Sequence, residues 1–430
     1  MKVNLTTLGC PKNIVDSEFL LGGLRDAGVE LVENPLEAET IILNTCGFIQ
    51  AAKEESVEAI LQAVQLKKQG RCQRVFVTGC LSQRYHHELK NEIPEVDGYF
   101  GNRDMRKVLK DLVLQLGLKY EHLGERLLTT PAHYAYLKIS EGCENPCTFC
   151  AIPSIRGKFN SRPIEELVQE AQTLVARGVK ELILVAQDTT MYGCDLYGKP
   201  QLVPLLDTLS NIRGLRWIRL LYTFPAHFTD DLIQIMAEKE NICPYLDLPI
   251  QHISDRVLKR MARKITRRQI EQLIEKLRTR IPGLAIRTSL IVGFPGETEE
   301  DFQELLDFVE TFRFERLGIF TYSREENTPA FHFPDQVPEE IKNERWAIIN
   351  DIQNEISYEK NQSLVGTIKN VIVDHFDESI GNYIGRTEWD CPEIDNTVVI
   401  KSSPDLTTGN FYNVKIITGS DYELWAEPVS

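Results

Sequence analysis

Three short apolar runs near the start of the chain each end on a cysteine: "TTLGC", "IILNTC" and "VFVTGC". Between them lie stretches of helical period, "DSEFLLGGLRDAG" and "AKEESVEAILQAVQLKKQG", and the pattern closes with "GYFG" and "DMRKVLKDLVLQLG". Strand and helix alternating in this way argue a doubly wound parallel sheet over residues 1–116. All strands of such a sheet end on one edge, so Cys10, Cys46 and Cys80 are expected to converge there although they lie far apart in sequence. The competing reading makes each a small buried residue, as free cysteine often is. No GxGxxG is present, which leaves a dinucleotide site without its glycine signature.

A longer α/β pattern begins near residue 130. Strands are expected at "YAYLKIS", "ELILVAQ", "WIRLLYT", "YLDLPIQ", "IRTSLIVGF" and "RLGIFTYS", with helices between them. In "IEELVQEAQTLVARG", Ile164, Leu167, Val168, Ala171, Leu174 and Val175 share one helical face for packing on a sheet. Successive units of this kind predict a partial TIM-like (β/α)6 barrel with its site at the carboxyl face, in the loops after the strands. The first of those loops carries CxxxCxxC, at Cys143, Cys147 and Cys150. A structural zinc site needs four ligands, and only His133 and Cys194 stand near enough in sequence to complete one. Three thiols in one loop resemble instead the runs that wrap an iron–sulfur cluster, and four irons held by three thiolates leave one iron open to a small molecule.

Residues 337–360 read as a helical connector, so barrel and connector together span 130–360. Residues 361–430, with period-two runs and frequent turn residues, read as a small antiparallel β-barrel. The chain carries a net charge of −15, which argues against a phosphate backbone as its main partner. Residues 361–430 alone hold eleven Asp and Glu against three Lys and one Arg. The exception is "KRMARKITRRQIEQLIEKLRTR", residues 259–280, with nine basic residues and two acidic ones; a helix face balanced by acids elsewhere is expected. With no secretory h-region and no long apolar run, a cytoplasmic protein without a membrane partner is expected. Ten cysteines in that compartment are not expected to pair as disulfides. Cys72, Cys194, Cys243 and Cys391 follow no ligand spacing and are expected to be structural, and His86 and His87 to lie on a helix surface.

With CxxxCxxC after the first strand of a six-unit barrel, the chain resembles the radical S-adenosylmethionine superfamily. "GCPKNIVDSE", "NTCGFIQAAKEES" and "TGCLSQRY", ahead of this barrel and a small acidic β domain, are similar to its methylthiotransferases over essentially the whole length. The resemblance implies a [4Fe–4S] cluster on Cys143, Cys147 and Cys150 whose open iron takes S-adenosylmethionine, leading to a 5′-deoxyadenosyl radical. It implies a second [4Fe–4S] cluster on Cys10, Cys46 and Cys80, and a TRAM domain at 361–430. "GCPKN" and "AIPSIRGK" are similar to the branch that methylthiolates the β-carbon of an aspartate in a small-subunit ribosomal protein. The alternative branch modifies tRNA adenosine and typically reads "GCQMN" and "VPYTRG" at these places. One S-adenosylmethionine would donate the methyl group and a second would be the radical source, because an unactivated C–H offers no proton to a general base. A basic ribosomal protein suits docking on the acidic TRAM domain, whereas tRNA would be repelled. An electron donor such as flavodoxin or ferredoxin is implied as well.

For the S-adenosylmethionine site, Gln187 and Asp188 after the second barrel strand and Gln251 after the fourth place polar side chains at the expected mouth. Arg287, Ser289, Gly293 and Gly296 are similar to the superfamily's fifth-strand segment beside the adenosine. A two-cluster electron carrier is the rival of another class, and a barrel of this size argues against it.

Overall fold

The computed structural model describes residues 1–120 and 125–429. Its N-terminal sheet has five parallel strands in the spatial order Glu30–Leu31, Lys2–Thr7, Thr40–Thr45, Arg74–Gly79, Gly98–Tyr99. The two-residue strand Glu30–Leu31 is an addition to the expected set. Helices Pro11–Asp26 and Met105–Gln115 cover one face, around Leu20, Ile42, Phe76 and Leu109. Helices Gln50–Lys68 and His86–Glu92 cover the other, around Ile41, Leu43, Ile60 and Leu89. Ile41 and Ile42 thus enter opposite cores, which is why "TIILNT" is apolar without alternation.

The second sheet has six parallel strands in chain order: Tyr134–Lys138, Glu181–Val185, Trp217–Leu220, Ile242–Asp247, Ala285–Val292 and Arg316–Thr321. It stays open, a partial barrel. Ala135, Leu137, Leu182, Leu184 and Ile286 pack outward against the helices, including Leu167, Ala171 and Leu174 of Ile164–Ala176. Tyr134, Tyr136, Ile183, Val185 and Tyr245 point inward, where they meet Val15 of the first domain and Ile372 and Cys391 of the last. The concave side is therefore filled by both flanking domains.

Helix Glu339–Ser363 connects to a closed five-stranded barrel built from Ile368–Asp377, Asn382–Thr387, Thr397–Ile400, Phe411–Gly419 and Glu423–Pro428. One pairing in it, Thr397–Ile400 with Glu423–Pro428, is parallel, a departure from an all-antiparallel barrel. This domain is tied to the inner face of the larger barrel by buried ion pairs. Glu181 accepts from Arg219 and from Arg386, both at 2.8 Å; Arg386 also pairs with Asp374 at 2.7 Å, and Asp374 meets His133 at 2.8 Å. Arg316 bonds Asp390 at 2.9 Å and Arg287 lies 3.3 Å from Asp395. Burial pushes the Asp395 carboxyl up despite Arg287 and Arg316. The acidity of 361–430 is accordingly not all surface charge, since Asp390 and Asp395 face the barrel arginines Arg316 and Arg287, and Asp374 faces His133 and the domain's own Arg386.

The basic stretch 259–280 is balanced in part within the chain, as Arg267 pairs with Glu271 and Glu304, Lys276 with Asp230 and Arg278 with Glu315. Among the described residues no helix is long and apolar enough to cross a membrane.

Candidate active site

Register brings the first three cysteines together. Thr7 stands opposite Asn44 and Thr45 opposite Gly79, so the chain leaves three adjacent strands at one level and places Cys10, Cys46 and Cys80 side by side. Gly9, at φ +94°, passes so close that a Cβ on it would stand 2.7 Å from Cys46 Cβ and 3.0 Å from its Sγ. Cys10 is the N-cap of Pro11–Asp26 and Cys80 opens the short helix Cys80–Arg84. Burial would raise the Cys10 thiol, but the Lys12 ammonium, the Arg156 guanidinium and the backbone amides of Asn13 and Lys12 outweigh it and leave it low. Burial raises the other two, Cys80 to about 11, helped by the negative charge of Cys10 on both.

The second set sits in the loop after the first barrel strand. Asn145, between Cys143 and Cys147, donates to Asp188 at 2.8 Å, and Asp188 also accepts from Thr190 N at 3.1 Å and meets His227 Nδ1 at 3.0 Å. The end of the second strand therefore pins the cysteine loop. Asn145 N lies 3.4 Å from Cys143 Sγ and Arg263 Nη1 3.7 Å from Cys147 Sγ. Burial pushes Cys143 to about 11 and Cys150 to about 12, where neighbouring thiolates add to the rise.

One arginine links the two sets. Arg156, six residues beyond Cys150, bonds Asp16 at 2.9 Å and Glu141 at 2.8 Å, and Nη2 reaches Asn13 Oδ1 at 2.5 Å and Cys80 Sγ at 3.5 Å. Lys138 bonds the same two carboxylates, and Gln187 Nε2 donates to Glu141 at 2.9 Å. On the opposite rim Glu325, after the last barrel strand, accepts from Arg84 at 2.7 Å and Lys53 at 3.1 Å of the first domain. The carboxyl edge of one sheet thus faces the mouth of the other.

The donor sets suit iron–sulfur clusters: each is three thiols, the soft ligands such clusters take. Among the described residues no three Cys, His, Asp or Glu side chains close around a point as the ligands of a single ion do. A cluster carries its thiolates on separate irons and needs them farther apart. Asn102 Oδ1, Gln187 Oε1 and Arg263 Nε are buried around the two sets without a hydrogen-bond partner. Asn102 Nδ2 already lies 3.1 Å from Cys80 Sγ.

Residues 137–309 match the Radical SAM superfamily, residues 2–101 an "Uncharacterized protein family UPF0004" and residues 365–429 the TRAM domain. A protein named ribosomal protein uS12 methylthiotransferase RimO from Christiangramia forsetii is 50% identical over 431 residues, covering 100% of this chain and 94% of its own. Its namesake in Desulforamulus reducens is 50% identical over 438 residues, with 99% of both chains covered. The chain belongs to the uS12 methylthiotransferase family. As a uS12 methylthiotransferase family member it is a radical S-adenosylmethionine enzyme. In fold it is similar to the radical S-adenosylmethionine methyltransferase TsrM from Kitasatospora setae, with a TM-score of 0.56 at 14% identity over 76% of each chain. The cobalamin-dependent radical enzyme OxsB gives 0.52 at 14% identity over 81% of this chain and 56% of its own.

In this methylthiotransferase Gln187, Asp188 and Gln251 lie at the mouth as expected, Gln251 at a positive φ of 76° with its backbone bridged to Ser289 O and Ile291 N. Tyr222, Ala262 and Lys264 share that conformation around the same edge, where strain is concentrated. Arg287 is engaged by Asp247 at 3.0 Å and by Asp395, and the Gly293 amide is taken by Glu297 while its Cα faces Lys342 of the connector. Cys72, Cys243 and Cys391 are buried, Cys194 is half-buried, and His86 and His87 stack edge to face at a helix start. Sequence reasoning missed Arg263 because its neighbours hide it in a basic run, and gave no role to Asn145 or Tyr222. A cavity of about 720 Å³ lined by Val168, Lys180 and Arg213 opens at the amino ends of the barrel strands, away from all six thiols.

Proposed function

We propose that this chain methylthiolates the β-carbon of an aspartate in ribosomal protein uS12, with S-adenosylmethionine as methyl donor and radical source. The observation that carries this reading is 50% identity to uS12 methylthiotransferases along the whole chain, together with two facing sets of three thiols. Cys143, Cys147 and Cys150 would hold one [4Fe–4S] cluster, and Cys10, Cys46 and Cys80 the other. Bound there, the clusters and S-adenosylmethionine supply the one-electron chemistry that breaking an unactivated C–H requires.

The chain's own residues bind and orient. Asp188 fixes the cysteine loop through Asn145, and Arg263 brings positive charge to Cys147. Gln187, Gln251 and Ser289 are assigned to S-adenosylmethionine; Arg287 and Gly293, whose polar groups already have partners, hold the strand and loop that carry it. The exposed Glu378, Asp405, Glu423 and Glu427 of the TRAM domain form the docking surface for basic uS12. Reduction by flavodoxin or ferredoxin, in the cytoplasm, completes the reading. Anaerobic incubation of the reconstituted enzyme with uS12 and, separately, with tRNA tests it by mass spectrometry: a mass gain on uS12 is expected, and modification of tRNA alone would overturn it.

A further inference from the structure

Most buried charges between the two thiol sets are matched. Arg156 and Lys138 share Asp16 and Glu141, two cations with two carboxylates. Lys12 is different: it is 7% exposed, and among the described residues no carboxylate lies within 4.0 Å of its ammonium. Its Nζ crosses from the first domain to the barrel, donating to Ala186 O at 3.3 Å and standing 3.3 Å above the Tyr222 ring. Ala186 directly precedes Gln187 at the end of the second strand, and Tyr222 follows the third. Its nearest anion is the Cys10 thiolate, whose charge is committed to iron when a cluster is held there, and a carbonyl and a ring face meet only part of the cost of burying an ammonium. Arg263, the other buried cation here without a carboxylate, touches a thiol; the hydrogen bond of Lys12 goes to the barrel instead.

We infer that Lys12 is the specificity residue that receives the side-chain carboxylate of the target aspartate, pairing with it between the two thiol sets. The inference rests on the proposed function. An aspartate brings the carboxylate that Lys12 lacks, whereas asparagine of the same shape does not, so Lys12 selects by charge what the barrel admits by size.

The holoenzyme is titrated anaerobically by calorimetry with uS12 and with uS12 carrying asparagine at the target position, for wild type, Lys12→Met and Lys12→Arg, with iron counted in each. Wild type is expected to prefer the aspartate form by about 30-fold or more, Lys12→Met to bind both forms as wild type binds the asparagine form, and Lys12→Arg to keep the preference. Lys12→Met that retains the preference overturns the inference. Equal weakening of both forms, which a structural role predicts, overturns it as well, and so does loss of about four irons, which would make Lys12 only a counter-charge to the Cys10 set. Wild type that binds both forms of uS12 equally overturns this inference alone; wild type that binds neither and modifies tRNA overturns the proposed function with it.

Discussion

Arg156 Nη2 donates to Cys80 Sγ at 3.5 Å, so a residue of the barrel's cysteine loop contacts a thiol of the other domain. The same guanidinium is held by Asp16 and Glu141 and is almost wholly buried. One side chain therefore belongs to both thiol sets and to the seam between their domains.

Replacing it exposes that dual role. Arg156→Met leaves the buried Asp16 and the half-buried Glu141 with Lys138 as their only cation, and is expected to lower stability by about 3–5 kcal/mol in urea denaturation. Arg156→Lys, which keeps the charge and loses the fork, is expected to recover part of this, and iron bound by the Cys10 set is expected to fall in both.

Iron analysis separates the two sets. Cys10→Ala and Cys143→Ala are each expected to lose about four irons from a wild-type total near eight. Gly9→Ala should behave like Cys10→Ala, because its methyl group would occupy the position 2.7 Å from Cys46 Cβ in a backbone conformation that disfavours a side chain. A wild-type total near four would refute one of the clusters.

The acid response of the TRAM interface follows from its carboxylates. Burial would raise Glu181, but Arg386 and Arg219 hold it below its ordinary 4.5, and Arg386 and His133 likewise hold Asp374 below 3.8. Each contributes stability that is present above the unfolded value and lost as pH falls through the lower folded one. Asp395, raised by burial, acts in the opposite sense and is relieved on protonation. With two lowered groups against one raised group, the interface is expected to loosen below about pH 4, read from the fluorescence of Trp217 and Trp389. Arg386→Met should bring the loosening to neutral pH; an interface indifferent to that change would contradict the ion-pair account.

Gln251→Gly should trade binding for stability. Relief of the positive φ at this strand end is expected to stabilise the fold by about 0.5–1 kcal/mol, seen as a higher Tm. Loss of the amide should weaken S-adenosylmethionine binding measured by equilibrium dialysis. Tighter binding in the variant would remove Gln251 from the site.

Both sheets were legible in the sequence because period and strand length are local properties, and the cysteines were legible because each follows its strand directly. Lys138 with Asp16, Arg156 with Cys80 and Arg84 with Glu325 were not, since each pair joins elements 76 or more residues apart. Which acids of the tail are buried was hidden for the same reason. A count by segment sums Asp390 and Asp395 with surface acids, whereas their partners Arg316 and Arg287 lie on barrel strands.

The first domain is riveted to the barrel at both rims, by Lys138 and Arg156 beside the first strand and by Arg84 and Lys53 on Glu325 beside the last. Those ion pairs fix how the Cys10 set faces the Cys143 set. A segment that reacts must then be shaped to two thiol sets that the fold itself holds in register.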